Sequence, residues 1–237
     1  MPVSAPYAIP VVVNAARQVR PRSILDVGVG FGKYGMPFRE YLDLWEADTV
    51  EQLGCQAWAT RIEGIEVYPQ YLGPLHRHIY DRIHLGDVLE VIDGLGRYDL
   101  VFMGDVLEHF EKADGQRLVA KLYDHADRCV LLTYPTLAES RVELFGNEAE
   151  AHRSVWTRQD FVSYERVSYT VVEDRADVCA IAKPGQELPF LVSCFAARRR
   201  KGWKGRLGTV LVRTLGKSKA SSLVSRLTGE RVALRAE

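Results

Sequence analysis

The chain lacks any run of about 20 apolar residues, the length a membrane-spanning helix needs. Met1 to Pro10 has neither the basic start nor the apolar stretch of a secretory leader, so a cytoplasmic protein is expected. Cysteine is scarce: Cys55, Cys129, Cys179 and Cys194 lie far apart, with no CxxC pair. This argues against a zinc cluster or a disulfide framework and predicts free thiols. Internal repeats and low-complexity segments are absent as well. Net charge is also missing, with 31 basic and 31 acidic residues. That balance hides an asymmetry. From Arg198 onward there are 12 Lys or Arg against two acids, Glu230 and Glu237, so the first 197 residues carry a net charge of −10.

What is present suits one α/β domain: 237 residues, 47% hydrophobic and 26% charged. A helix is predicted over Ile9 to Val19, ended by Pro21, and a strand over Ser23 to Val27. Further helices are predicted over Lys33 to Trp45, Pro69 to Tyr80, Lys112 to Ala126 and Thr157 to Tyr164. Further strands are predicted over Arg61 to Val67, Ile83 to Leu85, Tyr98 to Met103, Cys129 to Thr133, Val178 to Ala182 and Phe190 to Ala197. Strands alternating with helices predict a mostly parallel sheet with helices on both faces. The wholly apolar strands Leu100 to Met103 and Val130 to Leu132 fit burial on both sides. Residues 1–200 are read as this domain and 201–237 as a basic amphipathic extension. In the extension Leu207, Val210, Leu211, Leu215, Leu223, Val224, Leu227 and Val232 recur among Arg and Lys. Three readings of it stand: packing on the body or on a second subunit of a homodimer, peripheral contact with a membrane or anionic ligand, and a disordered tail.

The first predicted strand runs into Asp26-Val27-Gly28-Val29-Gly30-Phe31-Gly32. Glycines at this spacing let the backbone turn sharply and approach a nucleotide closely. The pattern alone also fits dinucleotide cofactors. An acid two residues before the first glycine favours a ligand with a positive amino group, as in S-adenosylmethionine (SAM). Three more acids then end successive strands. Glu66 is placed for ribose hydroxyls, Asp87 for an adenine amino group, and Asp105 follows the fourth strand. Each acid alone is explained equally well as a helix cap. As an ordered set on one sheet edge they point to one crevice.

The runs Ile24 to Gly32, Gly64-Ile65-Glu66, Gly86-Asp87 and Tyr98 to His109 resemble the class I SAM-dependent methyltransferase family. The resemblance covers about Ser23 to Thr136 well and the rest loosely. It implies a Rossmann-like seven-stranded sheet with helices on both faces and the last strand antiparallel, here expected at Phe190 to Ala197. It implies SAM as cofactor, held by Asp26, Gly28, Gly30, Gly32, Glu66, Val67, Asp87, Val88 and Asp105. The gap from Gly32 to Glu66 is longer than in family members. Asp43 to Thr60, with Trp45 and Trp58, is read as an insertion that shapes the acceptor pocket or a subunit contact.

Asp105, Glu108 and His109 fall at i, i+3 and i+4, on one face of a helix if one starts there. They are read either as a helix cap with an oriented histidine or as a divalent metal site, with Mg²⁺ the expected ion. Some hydroxyl-methylating relatives use a similar run for a metal. The polar stretch Gly146 to Thr157 resembles a segment of methyltransferases encoded among bacterial polysaccharide genes. His152 there is a candidate base, metal ligand or substrate hydrogen-bonder, or else a surface histidine ahead of a helix cap. Tyr134 is a candidate pocket residue, and Trp156 is read as packing. A sugar hydroxyl is a weak nucleophile, and the acids and histidines around the site suit its activation. The resemblance thus implies an O-methyltransferase acting on a sugar or glycan, with His109 and His152 catalytic. A phenolic or quinone-like acceptor and a non-catalytic SAM-binding subunit are the alternatives. No Asn-Pro-Pro-Tyr-type run follows the fourth strand, and the body is acidic, so no nucleic-acid partner is expected.

Overall fold

A computed structural model describes residues 6–45, 47–137, 146–172 and 175–191. The reading of residues 201–237 as an extension lies outside them. Among the described residues seven strands form one sheet: β1 Ser23–Val27, β2 Arg61–Glu66, β3 Arg82–Leu85, β4 Tyr98–Gly104, β5 Ala126–Pro135, β6 Val167–Val172 and β7 Ala176–Ala182. Their order is β3-β2-β1-β4-β5-β7-β6. Pairing is parallel from β3 through β5, whereas β7 is antiparallel to both β5 and β6. The helices are α1 Ile9–Val19, α2 Gly35–Arg39, α3 Pro74–Ile79, α4 Val88–Val91 and α5 Lys112–His125. None among the described residues is long and apolar enough to cross a membrane.

The central strands alternate between two cores. Leu100 and Phe102 of β4 face the cluster that holds Val12 and Ala16 of α1 and Phe38 of α2. Val101 and Met103 face the cluster with Leu118 and Leu122 of α5 and the Trp156 ring. All four β4 side chains are fully buried, as period-two alternation requires of a strand covered on both faces. The chain leaves β1 for β2 on one side and returns to β4 on the other. The carboxyl ends of β1 and β4 therefore flank the crevice where an open α/β sheet binds ligands.

Several elements differ from expectation. The antiparallel strand beside β5 is Ala176–Ala182; of the strand expected at Phe190 to Ala197, Phe190 and Leu191 are described and lie outside the sheet. Phe190 instead exchanges backbone bonds with the Gln18 side chain of α1: its N–H reaches Oε1 (2.8 Å) and its carbonyl accepts from Nε2 (3.0 Å). Residues 192–197 lie outside the described ones. The helix predicted over Pro69 to Tyr80 is split, because Pro74 has no N–H to continue a helix and instead opens α3. Thr157 to Tyr164 yields only the 3-10 turn Arg158–Phe161, started by Thr157 and Asp160. The helix from Lys33 is α only to Arg39, then widens into a π-turn over Glu40–Leu44.

The insertion after α2 joins the amino-terminal edge of the sheet, away from the crevice. Arg39, 1% exposed, pins it. Its guanidinium donates to Ile79 O (2.8 Å), Asp43 (3.1 Å), Asp81 (2.7 Å) and Thr60 O, beneath the Trp58 ring at 4.8 Å. Asp43 in turn accepts from the Ala59 and Thr60 N–H groups. Trp58 therefore serves packing, and neither it nor Trp45 lines the crevice cavity, so neither shapes an acceptor pocket. Removing one partner of a buried ion cluster leaves the others uncompensated. Arg39→Ala is expected to lower the unfolding free energy by about 3 kcal/mol, read by urea denaturation. Arg39→Lys should rescue little, because one ammonium cannot reproduce the forked set of bonds.

Candidate functional site

The glycine loop follows β1 directly. Gly28, Gly30 and Gly32 have φ of 77°, 54° and 79°, in the left-handed region. At Gly28 a Cβ would also lie 2.3 Å from Val106 Cγ2. The Gly28 and Val29 N–H groups both donate to Ile65 O of β2 (2.9 and 3.1 Å). Gly30 is held on two sides. Its N–H donates to Glu66 Oε2 (2.7 Å), and its carbonyl lies 2.9 Å from His76 Nε2. His76 Nδ1 accepts the Gly73 N–H (2.9 Å), so a neutral ring carries its proton on Nε2 and donates it to Gly30.

Asp26 lies behind this loop. It is buried, the Tyr80 hydroxyl donates to it at 2.6 Å, and it does not reach the cavity wall. Burial pushes its carboxyl up to about 7; the Tyr80 bond opposes this and the charge of Glu66 adds to it. The expected direct grip of Asp26 on a ligand amino group is therefore revised. Its contact is with Tyr80, under the loop. Gly32 is likewise absent from the wall and packs towards His76.

The cavity at the carboxyl ends of β1 and β4 measures about 770 Å³. Gly28, Gly30, Glu66, Val67, Asp87 and Val88 line one side, and Asp105 lies between the two sides. Glu66 also accepts the Tyr68 N–H (2.8 Å) and the Val67 N–H, and its carboxylate still lines the cavity. Burial raises its carboxyl above the usual range, and its backbone N–H bonds oppose the rise. Asp87 caps α4 by accepting Leu89 N–H (2.8 Å) while its carboxylate faces the cavity. Asp105 has φ of 53° and accepts from Thr133 Oγ1 (3.0 Å). Such strain in a non-glycine residue is held only by surrounding bonds, here the Thr133 hydroxyl and the Thr133 carbonyl, which takes the Asp105 N–H at 2.9 Å.

The other side of the cavity is built by Leu107–His109 and residues 147–154. Leu107–His109 is a 3-10 turn and α5 begins only at Lys112, so Asp105, Glu108 and His109 do not share an α-helical face. Val106 precedes the turn and no side chain caps it, so the capping reading of Asp105 and Glu108 is not met either. The group that converges is Glu108, His109 and His152, whose ligating atoms lie within 4.8 Å of one another. Asp105 is not in it. The His109 and His152 rings meet edge to face at 5.0 Å. His109 Nδ1 donates to Ala151 O (3.2 Å), because a carbonyl can only accept; in the neutral ring this leaves a lone pair on Nε2. The Arg153 and Ser154 N–H groups donate to Glu108 O (2.8 and 3.1 Å).

Trp156 anchors this loop. Its Nε1 donates to Leu107 O and Ser154 Oγ, and its ring fills the space above Gly115. Tyr134 is buried against Phe161 and does not line the cavity, contrary to expectation. The sequence reading did not single out His76, Tyr80, Tyr71 or Asn147. The only signal for His76 is its place at the third position of a helix opened by Gly73-Pro74.

The Asp26 shift has a testable sign. A carboxyl raised in the folded state penalises folding once ionised, so stability falls as pH rises from near 3.8 to about 7. Asp26→Asn keeps the acceptor for Tyr80 and should remove that slope, read by urea denaturation at pH 5 and pH 8.

No family model matches the chain, and no curated protein matches it in sequence. Solved structures do. Magnesium protoporphyrin IX methyltransferase from Synechocystis, with bound SAH, aligns over 74% of this chain and 82% of its own at 16% identity, with a TM-score of 0.50. An O-methyltransferase family protein from Burkholderia thailandensis aligns over 76% of this chain and 57% of its own at 13% identity, TM-score 0.52. The N-terminal domain of EvdMO1, solved in the presence of SAH and D-fucose, aligns over 76% and 84% at 13% identity, TM-score 0.50. The chain has the Rossmann-like fold of these methyltransferases.

Proposed function

We propose that this protein is a SAM-dependent O-methyltransferase, and that its acceptor is a hydroxyl on a sugar unit of an oligosaccharide or polysaccharide precursor. The observation that carries the reading is one cavity with a nucleoside-type wall on one side and the Glu108–His109–His152 cluster on the other. On the first wall Glu66 accepts the ribose hydroxyls. Asp87 accepts the adenine amino group, with Val67 and Val88 on the ring faces. Asp105 and the other wall carboxylates favour the cationic sulfonium and amino groups of the donor.

Methyl transfer from a sulfonium is an in-line displacement, so holding the acceptor oxygen opposite the leaving sulfur does most of the work. A sugar hydroxyl needs its proton removed as the bond forms. His109 suits this, because donating Nδ1–H to Ala151 O puts the lone pair of the neutral ring on Nε2, the form in which an imidazole takes up a proton. His152 packs edge-on against it and orients the acceptor. The sugar class draws support from the polar acceptor wall and from the EvdMO1 structure of the same fold, solved in the presence of D-fucose.

A divalent ion in the cluster is the alternative to His109 as base, because it would take the same Nε2 lone pair. One carboxylate and two imidazoles are the donors, and the His109 Nδ1–H bond to a carbonyl is the usual device that orients a ligating histidine. Glu108, His109 and His152 would hold it, and its chemistry there is to lower the pKa of a hydroxyl. Two imidazoles favour Mn²⁺, Fe²⁺ or Zn²⁺ over the Mg²⁺ expected from an oxygen-rich set.

The test is SAH release across mono- and oligosaccharide acceptors, with and without EDTA. Turnover of a sugar hydroxyl is expected, falling roughly 10²–10⁴-fold in His109→Ala. Full activity in EDTA together with full activity of His109→Ala and His152→Ala contradicts the acceptor chemistry. Tight SAM binding without turnover of any hydroxyl contradicts the O-methyltransferase reading and favours a binding subunit.

A further inference from the structure

Tyr71 ends the short 3-10 turn Pro69–Tyr71 that follows Glu66 and β2, and its side chain lines the cavity. Its ring lies 4.9 Å from Phe31 of the glycine loop and 4.9 Å from Tyr68. Its hydroxyl reaches the segment that follows β5. It donates to Glu150 Oε1 at 2.9 Å and accepts from Asn147 Nδ2 at 3.2 Å. Asn147 is 5% exposed, and its Oδ1 takes the Ala149 N–H (3.0 Å), so it is the fixed start of the turn Glu148–Glu150. Two residues beyond Glu150 stands His152.

The segment that carries His152 is thus tied at both ends. On the far side it hangs from Glu108 O through the Arg153 and Ser154 N–H groups, and from His109 through Ala151 O. On the near side Tyr71 ties it, through Glu150 and Asn147, to the turn that follows β2. Burial and the neighbouring carboxylates Glu150 and Glu66 push the Tyr71 hydroxyl up to about 12, against the Asn147 bond. It therefore stays a donor to Glu150 at any working pH, and a phenol-to-carboxylate bond is the stronger, charge-assisted kind.

We propose that Tyr71 is a positioning residue that couples the two halves of the cavity: a donor seated against Phe31 and Glu66 fixes Tyr71, and Tyr71 fixes the Asn147–His152 segment for the acceptor. The inference rests on the reading of this cavity as a donor–acceptor site. Coupling is reciprocal, so a bound donor tightens the acceptor by the same factor that a bound acceptor tightens the donor. Neither half requires Tyr71 to touch a reacting atom.

The experiment compares the full chain with Tyr71→Phe, which keeps the ring contacts and removes only the hydroxyl. Amide hydrogen exchange over residues 147–154 is followed with and without SAH, and SAH affinity is measured by calorimetry. SAH is expected to slow exchange across 147–154 several-fold in the parent chain and not in Tyr71→Phe, while SAH affinity changes less than about threefold. Glu150→Gln, which can still accept the phenol proton, should retain the protection, and Glu150→Ala should lose it. With an acceptor in hand, Tyr71→Phe should raise the acceptor KM and lower kcat, and a saturating acceptor should no longer tighten SAH in that variant as it does in the parent chain. The effect of adding Asn147→Ala to Tyr71→Phe should be less than additive. Equal SAH protection in Tyr71→Phe and the parent, or SAH binding with no protection in the parent, overturns the coupling and leaves the donor reading intact. Absence of SAH binding to the parent chain overturns the donor reading and the coupling with it.

Discussion

The glycine-loop side of the cavity depends on how one residue, Gly30, is held by both of its flanking peptide groups. Gly30 gives its N–H to Glu66 and its carbonyl to His76, so the loop cannot rotate without breaking a bond on one side. A carboxylate that lines the cavity thereby sets the shape of the loop beside it. Behind them, Tyr80 holds Asp26 and stacks against His76 at 6.2 Å, so the loop rests on a polar layer within a mostly apolar core. Burying such a layer is costly unless every member is bonded, and the tautomer of His76 is what lets its two ring nitrogens both be used.

The side of the cavity that carries Glu108, His109 and His152 is organised differently. Its residues sit on a 3-10 turn and an irregular loop, not on a regular helix, and tertiary bonds set their positions. Trp156 fixes one end against Leu107 and Gly115, and Lys112 covers its ring at 3.9 Å. Irregular backbone can bring Glu108, His109 and His152 together from segments some forty residues apart, which no single helix face can do.

The parts legible in the sequence are those whose signal is local. Glycines at 28, 30 and 32 sit where positive φ demands them, and Glu66, Asp87 and Asp105 stand at strand ends that the apolar runs mark out. The parts not legible depend on partners far along the chain. His76 meets Gly30 across 46 residues, Tyr80 meets Asp26 across 54, and Tyr71 meets Glu150 across 79. Asp26 shows the same limit from the other direction: its position was marked, but its burial beneath the loop is a tertiary fact. The apolar run Phe190 to Ala197 reads as a last strand, yet its described residues Phe190 and Leu191 are not in the sheet. At Phe190 the Gln18 side chain takes the backbone bonds a neighbouring strand would have taken. The metal-like cluster was misassigned by one residue for a related reason. The i, i+3, i+4 rule holds on an α-helix, and the chain is not α-helical there.

The most direct measurement is calorimetric titration of the full chain with SAH and, separately, with NAD, repeated on Glu66→Ala. The account predicts saturable SAH binding, no NAD binding, and an affinity for SAH weakened on the order of 10–100-fold in Glu66→Ala, as expected when hydrogen bonds to a charged group are lost. Saturable NAD binding, or SAH affinity unchanged by the loss of Glu66, contradicts it.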